Sequence, residues 1–201
     1  MRSHVVPIVA LALIALPLCA QSNDIAVWAG SSRVGTTPAQ GSDIHFDRGD
    51  SFGVSWNHFF SGQLSTELAA FSVRHDGTIR VAGVDAFNVG HLRMTPITAM
   101  VQWHLVHFRR IDPHFGGGLA YVRANSLHSS DLDTAGIGRV DVKSRVGWAM
   151  DGGVTYGVTP HLGVGLDARY IGYHPSSGPA DASVRLHLSP VIYSVGLRWR
   201  P

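Results

Sequence analysis

RVGWAMDGGVTY (residues 145–156), GVTPH (157–161) and LGVGLDARY (162–170) form one hairpin that obeys a single rule twice. On the first arm Val146, Trp148, Met150, Val154 and Tyr156 alternate with Arg145, Gly147, Ala149, Asp151, Gly153 and Thr155. On the second arm Leu162, Val164, Leu166, Ala168 and Tyr170 alternate with Gly163, Gly165, Asp167 and Arg169. Side chains leave a strand on alternate faces, so each arm has one apolar and one polar face. The arms run about nine to twelve residues, the length a tilted strand needs to cross a bilayer. The polar face decides between a soluble sheet and a membrane one. Soluble faces are dotted with lysine and glutamate, yet the chain has one of each, Lys143 and Glu67. Small residues with a few paired charges suit the crowded inside of a narrow closed barrel. Trp148, Tyr156 and Tyr170 near the strand ends fit the aromatic girdles of membrane barrels.

Outward from this hairpin the pattern repeats. Strands are expected at residues 24–34, 52–60, 64–75, 92–105 and 114–123, then the two arms, then 188–199. Short connections of about three to seven residues alternate with segments of about fifteen to twenty, at 35–49, 76–91, 125–144 and 174–187; short turns at one end and long loops at the other mark outer-membrane barrels. The expected fold is all-β: an eight-stranded antiparallel transmembrane β-barrel with up-and-down connections, closed between the first and last strands. An even strand count puts both termini on the short-turn, periplasmic side. Alternation places Val101, Trp103, Val146, Trp148, Val164, Leu166, Val195 and Leu197 toward lipid. It makes Leu166→Arg damaging to insertion and Gly165→Ser mild.

Residues 1–20 read as a secretory signal peptide: Met1-Arg2, an apolar run from Val5 to Leu18, and a cut after Ala20. Leu18 before Cys19 argues against a lipoprotein. Residues 21–201 then form one barrel domain with no thiol. The formal charge of +2 is mild, and no basic stripe or nucleic-acid motif is present, so no nucleic-acid partner is expected. Outer-membrane lipid and lipopolysaccharide are the expected surroundings. The closing strand, ending at Trp199, is the expected contact for the barrel-assembly machinery.

The chemistry-bearing residues read as a barrel interior. Glu67, Gln102, His104, Arg145, Asp151, Asp167 and Arg169 are expected to form an inward polar network, either a paired filling or a constriction that selects solutes. Met94, Pro96 and Met100 supply an apolar part of the lumen. No catalytic set is expected: His174-Pro175-Ser176 has no glutamate to orient the histidine, and His128-Ser129-Ser130-Asp131 is a polar loop. The histidines are scattered without ligand spacing, so neither metal nor cofactor is expected.

HLRMTP (residues 91–96) running on to QWH (102–104), DPHFGGGLAY (112–121), LDARYI (166–171) and LSPVIYSVGLRW (188–199) resemble the OmpW family of eight-stranded outer-membrane proteins. Family members usually close on phenylalanine, whereas here Arg200-Pro201 follow Trp199. The resemblance implies a narrow, rather apolar channel for small hydrophobic molecules, with a sideways exit into the bilayer. A structural or adhesion barrel with a filled interior and working external loops is the alternative.

Overall fold

The structure, a computed structural model, describes residues 22–35, 37–39, 42–81, 87–105, 110–125, 144–173, 176–177, 184–185 and 188–201. The signal segment, His128 to Asp131, and His174-Pro175 lie outside them. Among the described residues twelve strands are formed: β1 Asn23–Arg33, β2 Thr37–Ala39, β3 Ser42–Phe46, β4 Gly49–Phe59, β5 Leu64–Val81, β6 Phe87–His104, β7 Ile111–Ala124, β8 Arg145–Gly157, β9 Leu162–Gly172, β10 Ser176–Ser177, β11 Val184–Arg185 and β12 Val191–Trp199. Eight of them make the wall in the order β1-β4-β5-β6-β7-β8-β9-β12. Each is antiparallel to its neighbours, and β12 returns to β1 from Val191↔Arg33 to Trp199↔Ile25. Closure leaves no unpaired edge in the wall, as a spanning sheet requires.

Two expected loops differ. Residues 76–81 and 87–91 continue the sheet, because β5 runs to Val81 and β6 starts at Phe87. Asp76-Gly77 looks like a turn in sequence, but Gly77 pairs with Gly90 and the register shifts between Gly77 and Thr78. Gly90 holds φ 93°, a left-handed conformation natural to glycine, so the pair absorbs a bulge instead of reversing the chain. Within 35–49, β2 and β3 form a small hairpin, and β3 pairs along the far end of β5. The last strand starts later than expected, at Val191 just past Pro190, which has no amide hydrogen for a ladder.

Two of the short turns share one chemistry. The Ser61 hydroxyl accepts from the amides of Gln63 and Leu64, at 3.3 and 3.1 Å. The Thr159 hydroxyl accepts from those of His161 and Leu162, at 3.3 and 3.0 Å. These local bonds are the usual reason serine and threonine favour turns.

Exposure follows parity around the wall. Val101, Trp103, Val146, Trp148, Val164, Leu166, Val195 and Leu197 all face outward. So much exposed apolar surface on a closed sheet is stable only against lipid. Trp56, Trp103, Tyr156 and Trp199 ring the short-turn end, and Phe52, Tyr121, Trp148 and Tyr193 ring the other. Inside, glycines give room to large neighbours. A Cβ on Gly53 would lie 2.4 Å from the Phe71 ring, and one on Gly196 2.3 Å from Trp28. Gly165 is also such a place: a Cβ there would sit 2.9 Å from Trp28, so serine at 165 is not the mild change that alternation alone implies.

Candidate functional site

The interior divides into levels, because the inward residues of all eight strands stack in layers. The level nearest the long loops is mainly apolar: Phe71, Val73, Leu92, Met94, Val122, Ile171 and Ile192 are all buried there, with Ser32, Ser51 and His75 among them. Below it, Arg169 on β9 has no exposed surface and reaches across the barrel. Its NH1 donates to the Thr98 hydroxyl at 2.9 Å, and its NH2 to Glu67 at 2.6 Å. The same NH2 meets Asp151 at 3.4 Å, while Nε lies 3.7 Å from Asp167. Gln102 donates to Asp151 at 2.5 Å and accepts from the Asn57 amide at 2.7 Å. The face of Phe71 lies 4.9 Å from the guanidinium carbon and forms the boundary with the apolar level above. One cation thus ties β5, β6, β8 and β9 together across the interior.

A second polar group lies nearer the short turns. His104 places one ring nitrogen 2.9 Å from the Ser65 hydroxyl and the other 2.8 Å from Asp112. Arg198 bridges Asp112 at 3.4 Å and Asp24 at 3.5 Å. Arg200 grips Asp24 with two bonds, at 2.6 and 2.8 Å. Ser65-His104-Asp112 has the order of a hydrolytic triad, with Ser65 and His104 both buried in the interior. Its chemistry here is to bind β5, β6 and β7 together.

The expected interior residues fall as follows. Glu67, Gln102, Asp151, Asp167 and Arg169 meet in the upper network, and His104 sits in the lower one. Arg145 does not join them; it is exposed at the long-loop end of β8. It shares the parity of Asp151, but six residues along a strand carry it about 20 Å away, up to the rim. Met94 and Pro96 are buried in the apolar level. Met100 is buried too, but it stands between Thr98 and Gln102, opposite Glu67, and so belongs to the polar level. Sequence reasoning passed over Asn57 and His114, both inward by parity; nothing local marks them, because their partners lie on other strands.

Pro96 has a further consequence. The β5–β6 ladder runs from Leu64↔Trp103 to Ala70↔Ile97 and resumes at Val73↔Met94. The positions facing Phe71 and Ser72, Pro96 and Thr95, form no pair with them, whereas Pro96 still pairs with Val122 of β7. Proline has no hydrogen to donate across that seam. The interruption lies beside Ile97, whose β7 partner is Tyr121 of the upper aromatic ring.

The chain is similar to known proteins in sequence and in fold. An uncharacterized outer-membrane protein, y4mB, of Sinorhizobium fredii is 26% identical over 167 residues, covering 80% of this chain and 69% of its own length. The crystal structure of OprG from Pseudomonas aeruginosa superposes with a TM-score of 0.74 at 16% identity, over 90% of this chain and 97% of that one. The solution structure of outer membrane protein W of E. coli gives 0.54 at 18% identity, over 90% and 98%. At such identities the two structures speak for the fold, that of an outer-membrane barrel. The OmpW family profile matches residues 17–200, the whole of the wall just described, and the chain therefore belongs to the OmpW family.

Proposed function

We propose that this barrel takes small hydrophobic molecules from its long-loop end and releases them sideways into the outer membrane. The observation that carries the reading is the meeting of three features at one level. An apolar interior around Leu92 and Met94 ends on the charged floor at Arg169, and the wall is interrupted beside that floor at Pro96. An apolar solute gains by entering the upper level, since it leaves water. Continuing downward would strip the hydrogen bonds and charges around Arg169, at a cost of several kcal/mol, on the order expected for buried polar groups. Leaving through the unpaired stretch of β5 and β6 avoids that cost. Methionine at 94 suits the task, because its unbranched chain repacks around different shapes.

In this reading the long-loop end faces outward among lipopolysaccharide, and both termini face the periplasm. The barrel-assembly machinery receives the closing strand that ends at Trp199.

The test is uptake of a labelled hydrophobic compound by cells with the protein, without it, and with Met94→Arg or Pro96→Val. Deletion and Met94→Arg should both lower uptake. Pro96→Val, which restores an amide donor to the seam, should lower it without hindering insertion. If neither deletion nor Met94→Arg changes uptake, the channel reading fails, and a structural barrel with working loops takes its place. If only Pro96→Val is silent, the sideways exit fails.

A further inference from the structure

We propose that His114, Asp151 and Asp167 form a binding site for one divalent transition-metal cation inside the barrel. The three residues come from β7, β8 and β9. His114 and Asp167 lie on either side of Gly153 in one row of the sheet, and Asp151 lies beside Gly116 in the next. Both glycines face inward and leave their space to the cluster. A Cβ on Gly153 would sit 2.9 Å from His114 Nε2, and one on Gly116 2.6 Å from Asp151 Oδ1. One ligand atom from each of the three residues lies within 4.8 Å of the others, and His114 Nε2 is 3.7 Å from Asp167 Oδ2. Ligands held at about 2.1 Å around a tetrahedral ion stand roughly 3.4 Å apart, so closing on an ion needs only small side-chain movements.

Two independent observations point to a cation. The first is bonding. The three side chains are almost wholly buried, yet Asp151 Oδ1 has no hydrogen-bond partner, and Asp167 Oδ1 meets only Arg169 Nε, at 3.7 Å, beyond hydrogen-bonding distance. Buried polar atoms are rarely left so. Asp151 divides its work: Oδ2 accepts from Gln102 and faces Arg169, which leaves Oδ1 free.

The second is charge. With His114 neutral, Glu67, Asp151 and Asp167 face one described cation, Arg169, which leaves two negative charges in excess. In the lower cluster Asp24 and Asp112 are matched by Arg198 and Arg200. An uncompensated buried charge is expensive, and a dication cancels this excess. One imidazole nitrogen with two carboxylates favours zinc and its first-row neighbours over magnesium or calcium, which take oxygen donors. Arg169 would then hold the two carboxylates in position from behind. No spacing along the chain betrays the set, because each residue is on a different strand.

The site is independent of the channel reading, and its test uses no uptake. The barrel is refolded in detergent, freed of metal with a chelator, and titrated separately with Zn²⁺, Co²⁺ and Mg²⁺. Folding is checked by the shift in gel mobility on heating. One Zn²⁺ per barrel should bind, Co²⁺ should gain visible absorption on binding, and Mg²⁺ should not compete. His114→Ala and Asp167→Asn should each weaken Zn²⁺ at least about tenfold. Asp50→Asn, on the outer face of β4, should not. The proposal is overturned if the folded wild-type barrel binds neither Zn²⁺ nor Co²⁺ stoichiometrically, in which case protons neutralise the cluster. Equal binding by both variants overturns it too, placing the ion on surface histidines. Should a variant not fold, anomalous scattering at the zinc edge from wild-type crystals decides, and a peak away from His114 refutes the site.

Discussion

Replacing Arg169 by methionine is the sharpest test of the interior. Methionine keeps an unbranched stem of similar reach and removes the charge. The loss includes a charged hydrogen bond to Glu67 at 2.6 Å, a bond to Thr98 at 2.9 Å and the contact with Asp151 at 3.4 Å. Hydrogen bonds to charged groups contribute about 1.5–3 kcal/mol each, but the larger effect is on what remains. Glu67, Asp151 and Asp167 would be left buried with no arginine among them, and breaking a buried pair in this way costs about 3–5 kcal/mol. Unfolding by urea in lipid vesicles, followed by tryptophan fluorescence, measures it. A second substitution, Glu67→Gln, removes one stranded charge and should return at least about 1 kcal/mol to Arg169→Met while destabilising the wild type. A loss below about 1 kcal/mol, or two substitutions whose costs simply add, would refute the claim that Arg169 organises the interior.

Three further outcomes are expected. Leu166→Arg, on the lipid face near mid-strand, should cost roughly 2–4 kcal/mol and impair insertion, whereas inward Ser194→Ala should be close to neutral in the same vesicle assay. Gly53→Val should lose about 1–3 kcal/mol, because its Cβ would sit 2.4 Å from Phe71; Phe71→Ala in the same chain should recover part of this, which urea midpoints can show. Arg200→Ala should lose about 1 kcal/mol, a modest figure because the arginine is partly exposed, and hydrogen exchange should rise first in β1 and β12.

The wall was legible in sequence because its signals are local. Alternation over 145–170 needs no partner to be seen, and Ser61 and Thr159 mark turns by bonding two or three residues ahead. The interior was legible by face and not by height. Arg169 reads as inward, but Glu67 and Thr98 reach it from 102 and 71 residues away. Arg145 has the same parity as Asp151 and ends at the rim. Met100 reads as part of an apolar lumen, yet the register sets it against Glu67. Asp76-Gly77 has the composition of a turn, and only the facing Gly90 turns it into a bulge. Histidine 114 stands at the expected start of a strand, where its neighbours on β8 and β9 are invisible.

The broken seam at Pro96 is bounded at both ends. Below it β5 and β6 are joined from Leu64 to Ala70, and above it from Val73 to Ile79, with β3 bracing β5 beyond Phe46↔Gly77. It is therefore a buttonhole and not an open zip: its length is that of two residue pairs, about 7 Å along a strand. In the proposed exit, molecular width would then be the sieve. A flat ring or a single alkyl chain would pass edge-on where a branched or fused body of the same hydrophobicity would not. Selection among apolar compounds would thus follow cross-section more closely than partition into oil.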